Sequence, residues 1–139
     1  MIPEELAYLA GFVDGEGSLQ IQRRIHRNEF GVWTGYSIYV DIGQTRRDIL
    51  EYIQQKAGGG SIHHKPTTGN RKEAWLLKIS GHQAQAFVSQ LRPYLRVKAE
   101  IADVFLAFKM NGRKPHTDEQ KRMKDVLFTR AKELNHRGL

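Results

Sequence analysis

The chain has 139 residues, enough for one domain with a real core, and its 40% hydrophobic content excludes a disordered polypeptide. The absence of cysteine excludes disulfides and thiolate metal sites, and no apolar run approaches a membrane span. A formal net charge of +7 points to a polyanion or an acidic surface as partner.

The first predicted helix begins at Pro3, Glu4 and Glu5, since proline suits the first helical position and acids suit the positive end of the helix dipole. No signal peptide precedes it, so a soluble intracellular protein is expected, in the cytoplasm or nucleoid of a prokaryote or in an organelle. Leu6, Leu9, Ala10 and Val13 recur at helical spacing. Ala7, Gly11 and Gly15 form a second stripe with almost no side chain. So bare a stripe lets two helices approach more closely than the usual distance of about 8–10 Å between axes. Gly15 and Gly17 favour termination near 14–17. Glu16 then lies at the negative end of the dipole, where a carboxylate is misplaced unless a cation joins it. The stretch reads as a close-packed helix that delivers one acid to a metal.

Ser18–Asn28 alternates. Ser18, Gln20, Gln22, Arg24, His26 and Asn28 share one face; Leu19, Ile21 and Ile25 share the other, which Arg23 interrupts. After a turn over Asn28–Gly31, a second strand places Val32, Tyr36, Ile38, Val40 and Ile42 inward and Trp33, Ser37, Tyr39 and Asp41 outward. An ordinary solvated face has the same alternation, but long amides and an arginine on successive outward positions suit contact with DNA. Thr45 is a candidate N-cap for a helix marked by Ile49, Leu50, Ile53 and Ala57, which stops at Gly58-Gly59-Gly60. Those glycines lack the Lys-Ser/Thr of a phosphate loop. Ser61–Lys65 and Lys72–Ile79 read as a second hairpin, with Ser61, His63 and Lys65 outward together. His63 and His64 are adjacent and point to opposite faces, a poor metal pair.

Ala84, Phe87, Val88 and Leu91 mark the next helix, broken at Pro93. Val97, Ile101, Val104, Phe105 and Phe108 mark another, with Lys98 near its start. Asn111–Pro115 reads as a basic linker. The capping-box pattern Thr117-Asp-Glu-Gln120 opens a last basic helix running through Met123, Leu127, Ala131 and Leu134 to Gly138, with a polar face suited to phosphate. The predicted fold class is α+β, in the order αββαββα: an antiparallel four-stranded sheet with helices packed on one face, plus C-terminal helices. All 139 residues form one domain, with its core over about 4–110 and its last helix over about 117–137.

The stretch Leu9-Ala10-Gly11-Phe12-Val13-Asp14-Gly15-Glu16-Gly17 resembles the motif that names the LAGLIDADG homing-endonuclease family. Later segments are similar as well: Ile42-Gly43-Gln44, Leu50-Glu51-Tyr52-Ile53, Gly58–Ile62 and Leu91–Lys98. The resemblance covers about residues 5–108 and implies the family's half-saddle fold. It also implies an enzyme, a divalent-metal-dependent DNA endonuclease encoded in a mobile intron. Glu16 and the Gly15 carbonyl would be metal ligands for Mg2+ or Mn2+, although most relatives carry Asp where this chain has Glu16. Gln44, Arg46 and Lys98 would act beside them, holding water or stabilising phosphate charge; taken alone, Arg46 and Lys98 read equally well as surface charges. Asp14 lies about 200° around the helix from Glu16, so a structural role at a helix–helix contact fits it better than a shared ion.

One motif supplies one acid while duplex DNA has two strands, so the resemblance implies a homodimer paired through Ala7, Gly11, Asp14 and Gly15. Its double-stranded DNA target would then be palindromic or nearly so. Gln20, Gln22 and Arg24 would read base edges, with Ser18, His26, Asn28, Ser37, Tyr39, Asp41, His63 and Lys65 as further DNA contacts. A chain of this family that no longer cuts, acting as an intron RNA maturase or DNA-binding regulator, is the alternative. A generic RNA-binding module fits less well, because the aromatic RNP signature and the KH Gly-x-x-Gly context are missing.

Overall fold

The computed structural model describes residues 1–70, 72–110 and 116–136. Helix α1 (Pro3–Glu16) runs directly into strand β1 (Gly17–Asn28), which pairs with β2 (Gly31–Gln44). Helix α2 (Arg47–Ala57) leads to the hairpin β3 (Ser61–Lys65) and β4 (Ala74–Ser80). Then come α3 (Gly81–Leu91), a 3-10 turn (Arg92–Tyr94), α4 (Ala99–Ala107) and α5 (Asp118–His136). The four strands form one antiparallel sheet in the order β1-β2-β4-β3, so the two hairpins meet along β2 and β4.

This is the α+β arrangement that the periodicities predict. Leu19, Ile38, Val40, Ile42, Leu77 and Ile79 line the inner face of the sheet. Against them pack Leu9, Ala10 and Val13 of α1, Leu50 and Ile53 of α2, Phe87, Val88 and Leu91 of α3, Ile101 and Phe105 of α4, and Ala131 and Leu134 of α5. Burying these side chains on one face leaves the alternate residues of every strand on the other. No helix among the described residues is long and apolar enough to cross a membrane.

Several local expectations are corrected. Thr45 is not the N-cap of α2; Arg46 is, and Thr45 turns its hydroxyl to the Gln44 side-chain oxygen. Val97 lies before α4 and is exposed, because the helix starts at Ala99 with Lys98 as N-cap, and Phe108 falls just past its end. Val32 has inward parity but is exposed, since the distal half of the β1–β2 hairpin runs beyond the helices. Met123 is exposed because the buried stripe of α5 is rotated onto Lys124, Ala131 and Leu134. The capping box forms: the Thr117 hydroxyl accepts from the Gln120 amide, and the Gln120 side chain accepts from the Thr117 amide. The linker over 111–115 and the extension of the last helix to Gly138 lie outside the described residues.

Arg23, the interruption in β1, is accommodated by α5. Its guanidinium lies 4.5 Å from the centroid of the Phe128 ring and donates to Asp125 at 3.1 Å. Tyr36, opposite Arg23 on β2, donates its hydroxyl to the same carboxylate. A charged strand residue thus becomes the anchor for the C-terminal helix.

Burial, and next the Asp125 carboxylate, push the Tyr36 phenol up to about 12. This value is above the ordinary 10.0. The associated stability is therefore fully present below pH 10 and is lost as the pH rises through about 12. A spectrophotometric titration should show Tyr36 ionising only as the pH approaches about 12. Asp125→Ala should lower that ionisation and destabilise the fold by about 1 kcal/mol, since the groups it joins are partly solvated. Gly17→Ala should cost about 1–3 kcal/mol on denaturation, because its Cβ would stand 2.9 Å from both the Val13 carbonyl oxygen and its Cγ1.

Candidate functional site

The site is built around the end of α1. Leu9, Ala10 and Val13 turn into the core, which leaves Ala7, Gly11, Gly15 and Glu16 on the exposed side. A Cβ added at Gly11 or Gly15 would meet nothing within 4 Å. The bare stripe is therefore an open face, not a contact within the chain. It borders a groove of about 450 Å³ that Asp14, Pro93, Tyr94 and Arg96 also line. The Gly17 amide donates to the Val13 carbonyl and ends the helix, and the chain enters β1 with no intervening loop. The last turn of α1 has no basic residue to balance Glu16.

Asp14 is committed to its own chain. Its carboxylate accepts from the Arg96 and Lys98 amides, each at 2.9 Å, at the start of α4. Lys98 returns its ammonium to the Asp14 carbonyl at 2.8 Å. Lys98 is only 8% exposed, and burial pulls its ammonium below the ordinary lysine range, with Asp14 acting in the opposite direction. The alternative of a plain surface charge is excluded for Lys98.

Gln44 belongs to the same end of the sheet. Gly17 pairs with Ile42, and Gln44 follows two residues, about 7 Å, further along β2. By alternation it shares the helix-side face with Ile42, opposite Trp75. Gln44 and Arg46 line a groove of about 350 Å³ together with Tyr8 and Phe12 of α1. Arg46 is 76% exposed and forks onto Asp48, at 3.1 Å through Nε and 2.5 Å through Nη2.

The outer face of the sheet carries the other expected residues in ordered rows. Ser18, Asp41, Lys78 and Ser61 lie in one row across the four strands; Gln20, Tyr39 and Ser80 lie in the next. Further out on the first hairpin, Gln22 opposes Ser37 and His26 opposes Trp33. At the other end, His63 opposes Leu76 and Lys65 opposes Ala74. Arg24, Ser37, Tyr39 and Lys78 border a groove of about 460 Å³. The His26 ring stacks on Trp33 at 5.3 Å and fills the space above Gly35. Gln20 is held between the Ser18 hydroxyl and Asn135, whereas the Asn28 side chain accepts from the Phe30 amide and closes the turn.

Sequence reasoning did not select Lys78 or Ser80. Their alternation with Leu77 and Ile79 was the available signal, but only the β2–β4 register sets Lys78 beside Asp41. It also did not find that Lys132, Asn135 and His136 of α5 reach the β1 edge, where they border a groove of about 500 Å³ with Gln20 and Gln22. Among the described residues no three His, Asp or Glu side chains gather as a metal site.

The sequence and the fold both have known counterparts. Residues 9–110 match the LAGLIDADG endonuclease family. The chain is 30% identical over 104 residues to the DNA endonuclease I-CreI of Chlamydomonas reinhardtii, a match that takes in 74% of this chain and 61% of that protein. The chain thus spans about six-tenths of the length of this curated relative. Its fold is similar to that of the homing endonuclease I-CvuI in complex with its target in the presence of calcium, with a TM-score of 0.71, 23% identity and coverage of 94% of this chain and 82% of that one. It is also similar to the archaeal intron-encoded homing endonuclease I-Vdi141I complexed with DNA, with a TM-score of 0.56, 19% identity and coverage of 95% and 97%. With the motif helix, the open glycine stripe and the four-stranded sheet in place, and the match running over most of the chain, this protein belongs to the LAGLIDADG endonuclease family.

Proposed function

We propose that this chain is a site-specific double-strand DNA endonuclease, encoded in a mobile intron, that works as a homodimer on a palindromic or nearly palindromic site with Mg2+ or Mn2+. The observation that carries this reading is the end of α1, where an exposed carboxylate, Glu16, follows an exposed stripe of Ala7, Gly11 and Gly15. A stripe without side chains is suited to a second copy of the same helix, and a two-fold axis there would bring two Glu16 carboxylates together, one for each DNA strand. The relative I-CreI is a DNA endonuclease, and I-CvuI was solved on its DNA target with calcium.

The donor set fits a divalent cation: an unbalanced carboxylate at the negative end of a helix dipole, beside the carbonyl of Gly15. Glu16 and the Gly15 carbonyl would hold the ion, which when bound supplies charge neutralisation at the phosphate and an activated water. Lys98 keeps a cation close to the same helix end through its bond to the Asp14 carbonyl, where it can oppose charge building on the phosphate. Gln44 has an amide that both donates and accepts, and so can orient a water. Arg46, exposed and forked onto Asp48, is available to a backbone phosphate. The outer sheet face would lie in the major groove, with Gln22 and Arg24 at base edges. The remaining basic residues would position the duplex through its phosphates.

Glu16→Gln should still bind a selected DNA site in a gel shift and should cleave neither strand with Mg2+. Cleavage at the parental rate would remove Glu16 from the mechanism, and a parent that binds but never cuts would make the protein a regulator or maturase. Lys98→Met should bind and cleave about 10²-fold or more slowly, as when one charge-stabilising donor is lost. Gly11→Leu should fold, since its side chain enters open space, yet sediment as a monomer and lose double-strand cutting. A parent that is monomeric by light scattering with and without DNA would refute the dimer.

A further inference from the structure

Lys124 stands in the buried stripe of α5 with Ala131 and Leu134 and is only 5% exposed. An apolar residue would suit that position, and a lysine placed there normally brings an acid with it. The carboxylates of the packed elements are engaged elsewhere: Asp125 with Arg23 and Tyr36, Glu100 and Glu133 with Arg130, and Asp103 with Arg92. Asp118 and Glu119, in the first turn of α5, are exposed. The Lys124 ammonium is met instead by two rings. His116, just before α5, approaches it at 2.9 Å through Nδ1 and 3.3 Å through Nε2. Phe108, just past α4, covers it at 5.2 Å from the ring centroid, and the Tyr36 ring of β2 stands 6.0 Å behind Phe108.

An ammonium can only donate, so His116 has to accept, and only a neutral imidazole has a lone pair to do so. Lysine holds its proton far more strongly than histidine, so at neutral pH the pair is an ammonium on an imidazole. A proton added to His116 removes the acceptor and sets two cations against each other in a partly desolvated site. The other charge acting on His116 is Lys121, a third cation. Relief requires that the cations reach water, and the element that carries two of them is the start of α5.

We propose that Lys124 and His116 form an acid-sensitive latch, which holds the first half of α5 against Phe108 while His116 is neutral and releases it when His116 takes a proton. Burial, and next the lysines Lys124 and Lys121, pull His116 below its ordinary 6.5. The unfolded chain therefore binds a proton that the docked one refuses. The docking energy is fully present above pH 6.5 and is lost as the pH falls through the lowered value. Release reaches the sheet as well, because Asp125, next to Lys124, carries the ties to Arg23 and Tyr36.

The test is amide hydrogen exchange on the full chain without DNA between pH 7 and pH 5, corrected for intrinsic rates, together with an NMR titration of the histidine rings. In the parent, protection over residues 120–128 should fall with pH below 6.5, by up to about tenfold per pH unit for one proton taken up on opening, while the strands keep theirs. The ring of His116 should ionise below 6.5 in the parent and at a higher pH in Lys124→Met. His116→Gln keeps an acceptor and does not titrate, so it should hold α5 with a flat pH profile, as should Lys124→Met, which has no second cation. Protection of α5 that is independent of pH in the parent, or that falls equally in the strands, overturns the latch. A His116 ionisation unchanged by Lys124→Met, or parental slopes in both variants, also overturns it. The two parental measurements decide the matter even if a variant misfolds. No DNA enters the experiment, so its failure leaves the endonuclease reading standing.

Discussion

The tie between Asp14 and the start of α4 is the contact on which the rest of the site depends. One carboxylate accepts two backbone amides, from Arg96 and Lys98, and the Lys98 ammonium closes the loop on the Asp14 carbonyl. The carboxylate meets the positive end of α4, where its charge is favourable. Lys98 is in turn held in a site that partly desolvates it, tolerable because both ends of its residue are bonded to α1. Two residues beyond Asp14, Glu16 emerges without such partners among the described residues. The motif thus divides its two acids: one fixes the backbone and carries the neighbouring lysine with it, and the other is left exposed.

A second constraint is the absence of a loop between α1 and β1. Gly17 is packed too closely against Val13 for any side chain, so the direction of the helix and the direction of the strand are coupled. The register Gly17–Ile42 then carries Gln44 beyond the start of β1, to a groove it shares with Tyr8 and Phe12 of α1. Residues gathered along α1 come from β2 and from the start of α4, stretches far apart in sequence. Rigid elements carry each of them, so their relative positions are held more precisely than loops would hold them.

The outer sheet face varies along its length. Near α1 the strands are backed by the core, and Asp41, Tyr39 and Lys78 are partly desolvated there. Towards the hairpin turn both faces are exposed, with Ile25 and Val32 uncovered and His26 supported by its stack on Trp33. Polar groups in the backed region are held by neighbours, so their energetics are sensitive to whether each donor and acceptor is filled. In the overhanging region water fills them, and position there rests on side-chain stacking and strand twist.

Much of this was legible in the chain itself. The alternation of Ser18–Asn28 assigned Gln22 and Arg24 to one face, and the helical spacing of Leu9, Ala10 and Val13 set apart the bare face of Ala7, Gly11 and Gly15, because periods of 2 and 3.6 are local properties of the backbone. Long-range pairing is not local. The register that sets Lys78 opposite Asp41, the approach of Asp125 and Phe128 that accommodates Arg23, and the capture of Arg96 and Lys98 by Asp14 each join residues distant in sequence. The rotation of α5 that exposes Met123 and buries Lys124 was decided in the same way: Lys124 gains His116 and the Phe108 ring as neighbours, partners that no helical period can announce. The sequence by itself determined the elements, their faces and the motif acid; the tertiary structure alone decided which charges on those faces meet, because that depends on how the two hairpins and the last helix dock.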